Sequence, residues 1–196
     1  MNDKTPRELL QNFYKENNLP VDGGVNLSNV KIEFTKKIHI YFPNFDARRK
    51  AVVKHDIHHL LTGYETNVWG ESEISAWEIG SGCKKYWAVF FIDTSGTMLG
   101  IPIKFRRVLK AFARGRKTKN LYHDSIPTEV AMDMKICELQ SVLYLDKYHK
   151  NSNPGFIDFI LFLTLILFGE IYSIISLLFL PLIIFYTIYI KLKITN

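Results

Sequence analysis

The sequence predicts an all-α, mostly helical domain followed by a C-terminal membrane helix or hydrophobic hairpin. Three observations carry that expectation. Apolar residues recur at helical spacing in separate stretches, as with Leu9, Leu10, Phe13 and Tyr14, and again with Val52, Val53, Ile57, Leu60 and Leu61. Phe105, Val108, Leu109 and Phe112 repeat the pattern inside a basic stretch. From Phe156 to Ile190 the chain is almost continuously apolar, interrupted by Asp158, Gly169, Glu170 and Pro181.

Taken in order, Thr5 to Glu16 reads as a first helix. Val30 to Phe42 alternates imperfectly and is either a strand or an extended connection. Ala51 to Leu61 is helical, and Gly63 suits its end because glycine tolerates the left-handed conformation that closes many helices. A second helix is expected from about Asn67, a good capping residue, to Ile79. Tyr86 to Ile92 is an aromatic and β-branched run, short enough for a strand and equally consistent with a helix continuing from Ser75. Lys104 to Lys119 carries eight positive charges, and its first half is a basic amphipathic helix. The reading preferred for that helix is a surface lying against anionic headgroups. A solvated basic face is the plainer alternative.

Asn151-Ser152-Asn153-Pro154-Gly155 is a polar breaker cluster, dividing residues 1–150 from a tail of 151–196. A spanning helix needs roughly 20 apolar residues. Ile171 to Ile190 meets that length, whereas Phe156 to Phe168 falls short. The tail is therefore one span preceded by an interfacial segment, or a hairpin turning at Gly169-Glu170. Lysines at both ends (Lys147 and Lys150, Lys191 and Lys193) favour the hairpin, because basic flanks tend to stay cytoplasmic.

The formal charge of +6 lies wholly before residue 151, since Lys191 and Lys193 offset Asp158 and Glu170 beyond it. A basic domain calls for an acidic partner or surface. No nucleic-acid motif accompanies the charge, so the membrane is the expected partner and nucleic acid is not. Cys83 and Cys137 stand far apart and form no CxxC pair, which suits a reducing compartment. The N-terminus carries acidic residues and no apolar run, unlike a signal or transit peptide. The expected location is the cytoplasmic side of a membrane, in a bacterial inner membrane.

The densest chemistry is His55-Asp56-Ile57-His58-His59 with Glu71 after eleven further residues. On a helix, His55 and His59 are i,i+4 neighbours and Asp56 and His59 are i,i+3 neighbours, so one face offers two nitrogens and one oxygen. Glu71, in the first turn of the next helix, can close the set. His55, Asp56, His59 and Glu71 are thus the expected metal ligands. Imidazole and carboxylate together suit Zn²⁺, Mn²⁺ or Fe²⁺, with Zn²⁺ foremost. The string HxxHH also occurs in membrane di-iron enzymes, but His39, His123 and His149 are isolated and supply no further cluster. An HD phosphohydrolase pattern would leave Glu71 without a role.

The pattern HDxxH-x11-E, formed by His55, Asp56, His59 and Glu71, resembles the signature of the coenzyme Q biosynthesis protein 4 family. The surrounding text HDIHHLLTGYETNVWGESEISAWEIGSG, with Gly63 and Gly70-Glu71, is similar to that family's central helix, loop and helix. Ala113-Arg114-Gly115-Arg116-Lys117, Leu121-Tyr122 and Ile126-Pro127 to Leu139 resemble its closing segment, so the likeness covers roughly residues 40 to 140. It implies an all-α fold, a bound zinc, and removal of the C1 carboxylate, with or without oxidation, from a polyprenylated hydroxybenzoate ring. It also implies membrane lipid and other ubiquinone-synthesis enzymes as partners, with a homo-oligomer as a further option. The apolar tail departs from the family. Candidate proton donors near the site are Glu65, Glu78, His58 and Tyr64. The rival expectation is a non-catalytic scaffold or prenyl-lipid-binding protein.

Overall fold

In the computed structural model, which describes residues 3–33, 39–83, 85–150 and 153–195, helices dominate and a single two-stranded sheet accompanies them. Helix α1 (Pro6–Glu16) begins where Thr5 and Glu8 form a reciprocal cap, with Pro6 in the first turn. It lays Leu10 and Tyr14 into the core. The segment read as strand or connection contains two strands, β1 (Asn29–Glu33) and β2 (His39–Pro43), paired antiparallel with Val30 opposite Phe42.

Helix α2 (Asp46–Thr62) ends at Gly63 with φ 69°, the left-handed closure that residue was expected to supply. Helix α3 (Val68–Ser81) starts from Asn67, whose side chain accepts the N–H groups of Trp69 and Gly70. Gly82, at φ 94°, then stops it, so the Tyr86 to Ile92 run does not continue α3. That run instead opens α4 (Trp87–Gly115), which bends at Lys104 two residues after Pro102. Lys104 there leaves helical geometry, with φ −122° and ψ 28°, beyond the turn that Pro102 itself crowds. Two glycines let α3 and α4 touch. A Cβ on Gly80 would meet the Phe112 carbonyl at 2.3 Å, and one on Gly115 the Trp77 carbonyl at 2.2 Å.

The chain then makes a 3₁₀ turn at Leu121–His123 and the short helices α5 (Thr128–Asp133) and α6 (Ile136–Val142). One core gathers Leu10, Ile57, Trp77, Val108 and Leu139 from these elements. The apolar stripe of the basic helix, Phe105, Val108, Leu109 and Phe112, belongs to this core and is not turned to lipid.

The tail departs from the hairpin turning at Gly169-Glu170. Helix α7 (Phe156–Leu177) runs straight through that pair, and α8 (Leu180–Thr195) follows. Gly169 marks contact and not a turn, since a Cβ there would lie 2.5 Å from Met98 Sδ of α4. The break comes from Pro181, whose ring conflicts with the carbonyl four residues earlier, at the last residue of α7. Helix α7 buries Asp158, Phe162, Leu165 and Gly169 along one stripe and exposes apolar side chains elsewhere. Helix α8 packs on β2, where Thr187 Oγ1 accepts the Tyr41 N–H at 3.1 Å. Among the described residues, two helices, α4 and α7, are long and apolar enough to cross a membrane.

Candidate metal centre

Helices α2 and α3 bring three potential ligand atoms to one point. His59 Nε2 lies 3.2 Å from His55 Nε2, while Glu71 places Oε2 3.3 Å from His55 Nε2 and Oε1 3.3 Å from His59 Nε2. A tetrahedral ion with bonds of about 2.0–2.1 Å separates its ligands by about 3.3 Å, close to the spacing of the two Nε2 atoms and of each ring from its nearer Glu71 oxygen, and one ligand atom from each of the three residues lies within 4.8 Å of the others.

The tautomers make the same point. His59 Nδ1 donates to the Tyr64 carbonyl at 2.9 Å, and His55 Nδ1 donates to Glu78 at 3.1 Å. Each ring therefore carries its obligatory proton on Nδ1, leaving an Nε2 lone pair aimed at the other and at a carboxylate. Three converging electron pairs demand a cation, either a proton or a metal ion. Hydrogen-bonding the far nitrogen to a carboxylate or carbonyl is how proteins orient metal-binding imidazoles.

Electrostatics accord with this. Burial opposes protonation of His55, but Glu78 and Glu71 outweigh it and hold its pKa well above the ordinary histidine value. Burial likewise opposes ionisation of Glu71, yet the two histidines outweigh it and bring the carboxyl down to about 2. Glu78 lies behind the rings and is wholly buried. It accepts from His55, from His58 Nδ1 at 2.5 Å and from Tyr122 OH at 3.2 Å. Despite the cost of burial, these donors keep its pKa below the usual carboxylate range.

The remaining sequence candidates fall in different places. His58 is enclosed: its Nε2 accepts the Leu121 N–H at 3.0 Å while Nδ1 faces Glu78, and burial lowers its pKa. It braces the site from below, with its ring against Trp77 and Tyr122. Asp56 turns toward α1, accepting from Tyr14 OH at 3.0 Å and lying under Gly23. Burial pushes its carboxyl up to about 6. Among the described residues it joins neither group of converging ligand atoms. Glu65 is exposed and takes a hydrogen bond from Asn67 at 2.5 Å. Tyr64 is buried between the Arg114 and Lys150 side chains.

A second group, His55, Glu78 and Asp93, also draws ligand atoms within 4.8 Å of one another. It uses the His55 Nδ1 that already donates to Glu78, so the tautomer that serves the first group closes the second. Asp93 is what sequence reasoning missed. Its signal was an isolated carboxylate in the otherwise apolar stretch Trp87 to Ile92 and beyond.

Beside the trio is a cavity of about 220 Å³, into which His55, Glu71, Arg48, Ser75, Tyr122 and Ile92 face as lining residues. Ile92 is also exposed on the outer surface of α4. The cavity therefore joins the candidate ligands to the apolar flank of the molecule. Comparison of the chain with family models, curated proteins and solved structures returns no match to any of them.

Proposed function

We propose that this chain is a membrane-associated, metal-dependent protein that removes the C1 carboxylate from a polyprenylated hydroxybenzoate-type ring, in ubiquinone biosynthesis. The observation that carries the metal half is the convergence of His55 Nε2, His59 Nε2 and the Glu71 carboxylate, each ring 3.3 Å from one of its oxygens and the rings 3.2 Å apart. Two imidazoles and one carboxylate leave a fourth position open, which is the pattern of catalytic zinc sites and not of closed structural ones. The choice of ring rests on the resemblance of His55, Asp56, His59, Glu71 and their neighbours to the coenzyme Q biosynthesis protein 4 family.

The surroundings suit such a substrate. Arg48 lines the cavity beside His55 and Glu71 and offers a cation to an anionic substituent. The exposed Ile92 and the apolar faces of α4 and α7 offer a path for a prenyl chain held in a bilayer. A bound divalent ion supplies Lewis acidity toward a ring oxygen. When the carbon–carboxylate bond breaks, its electron pair stays on the ring carbon, CO₂ leaves, and a proton must arrive. Tyr122 also lines the cavity, but its hydroxyl donates to Glu78 at 3.2 Å and belongs to the same buried network. Glu78 and His58 are occupied in holding the imidazoles, and Glu65 sits on the surface.

Metal analysis and decarboxylation by the membrane-bound chain test the reading together. His59→Ala and Glu71→Ala should each lose the metal and at least about 100-fold in turnover while the helices remain. Full turnover by a folded, metal-free variant would overturn the catalytic reading and leave a scaffold.

A further inference from the structure

Helix α7 is braced on one side by α4 along most of its length. Near its start Asp158 meets Arg116 at 3.5 Å. Phe162 then packs on Phe105 and Phe112, Gly169 presses on Met98, and the Tyr172 ring centroid lies 5.3 Å from that of Phe91. From Asp158 to Tyr172 the helix rises about 21 Å, and α4 accompanies it throughout. We infer that α7 does not cross a bilayer but lies in the plane of one leaflet, with its outer face sunk among the lipid chains. This orientation rests on the membrane association proposed above and adds to it the surface that meets lipid.

A crossing α7 would draw its packing partners to the same depth, and those partners carry charge. Ser72 of α3 lies against Gly100 of α4, between the α4 residues that touch Phe162 and Gly169. Next to Ser72, Glu73 pairs with Arg107, whose side chain is 48 % exposed. Glu170, on α7 itself, is exposed as well. Ionised side chains inside a membrane face the protein interior or a water-filled cavity, because hydrocarbon does not solvate them. These lie on the surface, level with the middle of α7. A helix lying in plane leaves them in water or among headgroups.

The outer face has the chemistry of a lipid contact. Ile160, Leu163, Leu167, Ile171 and Ile174 recur at three- and four-residue steps on the side away from Phe162 and Gly169, and are 41 to 64 % exposed. All five are aliphatic. Protein interfaces favour aromatic residues, Met and Arg within a polar rim, whereas a leaflet asks only for hydrocarbon. The headgroup level is served by Arg116 and Lys117, which share the Asp158 carboxylate at 3.5 and 4.0 Å. Two cations on one carboxylate leave positive charge for an anionic lipid. From Arg116 a groove of about 420 Å³ runs beside α7, lined by Phe90, Phe112, Leu161, Leu165 and Phe168. Its walls suit a lipid chain hanging from a headgroup at Arg116.

The test uses the full chain reconstituted into vesicles of phosphatidylcholine and phosphatidylglycerol. Cys137→Ser is present throughout, and the buried Cys83 is left in place. Bimane is attached at Ile160→Cys, Leu167→Cys or Ile174→Cys, and its depth is read from quenching by lipids brominated at different chain positions. A helix in plane gives one shallow depth at all three. A crossing helix puts Leu167 deepest, with the other two shallower by about 10 Å, and overturns the inference. Glu170→Cys should react with a membrane-impermeant maleimide as fast as Asn153→Cys; a shielded Glu170→Cys also overturns it. Each variant should melt like the wild type in detergent, and Leu163→Cys replaces a position that does not. A bimane at Leu167→Cys that no brominated lipid quenches, in a chain that runs as a dimer, means that a second copy covers the face, and overturns the lipid assignment. A chain that fails to float with vesicles overturns the membrane association itself, whereas graded depth in a floating chain overturns only the orientation. His59→Ala should leave the depths unchanged, so the outcome is independent of the metal centre.

Discussion

At the residue scale, the site depends on a buried carboxylate that touches no open position. Glu78 receives protons from His55, His58 and Tyr122, and so fixes which nitrogen of His55 faces Glu71. Glu78→Gln keeps the volume but brings an NH₂ group toward donors that need an acceptor. Metal affinity should fall by about 10- to 100-fold, as is usual when a group orienting a ligand is lost. Competition with a chromogenic chelator measures this, and unchanged affinity would show that His55 is oriented otherwise. Asp56 gives the contrasting case. Its carboxylate is engaged by Tyr14 and stands apart from the trio, so Asp56→Asn should retain one metal per chain. Its cost should appear in stability, through the weakened contact with α1. A metal-free Asp56→Asn chain would make Asp56 a ligand after all, and the three-ligand centre would have to be abandoned.

At the element scale, much of the site was legible because its spacing is local. The i,i+4 relation of His55 and His59, the stop at Gly63 and the cap at Asn67 are all short-range chemistry, and α2 and α3 follow them. What could not be read was long-range. Whether Asp56 faces His55 and His59 or α1 depends on where Tyr14 and Gly23 pack, far away in sequence. Gly169 looked like a turn because nothing local reveals that Met98 presses on it. Pro181 carried the true break, by removing a donor where α7 would have continued. Asp124 shows how elements are tied without core packing. It joins α2, through Lys54, to the turn before α4, through Lys85 and Tyr86. Burial disfavours its charge, but those donors outweigh burial and hold its pKa below the ordinary value. Because the folded pKa is the lower one, the unfolded chain takes up the proton first as pH falls. The clamp's stabilisation is therefore full above about pH 5 and disappears progressively below about pH 4, the ordinary carboxylate range. The melting temperature of Asp124→Asn should lie below wild type at neutral pH and converge with it in acid. A gap that stays constant down to pH 2.5 or so would mean that the ion pairs contribute nothing.

At the scale of the whole molecule, α7 has two faces with different duties. Its inward stripe places Phe162, wholly buried, against Phe105 and Phe112 with ring centroids 5.6 and 5.4 Å away. Asp158 on the same stripe pairs with Arg116 at 3.5 Å, and its carboxylate accepts the Gly155 N–H at 2.8 Å. The tail is thus part of the core that α2 and α3 share, and not a tether hung from a finished domain. Outward, Leu167, Ile171 and Ile174 are exposed, as are Leu182, Phe185 and Tyr189 on α8. So much exposed apolar surface calls for lipid or a partner to cover it. The two duties separate under mutation. Phe162→Ala should cost about 3–5 kcal/mol, the usual loss for a buried phenylalanine, while leaving the outward face unaltered. Thermal unfolding in detergent should register that loss, and flotation with vesicles should still carry the variant with the membrane fraction. Charged replacements at Leu167 and Ile171 should do the reverse, reducing flotation while leaving the melting temperature in detergent nearly unchanged. If Phe162→Ala melts like the wild type, α7 is only an anchor. If the outward replacements alone collapse the fold, those side chains are covered by protein, and the membrane reading of α7 must give way to a second copy or another chain.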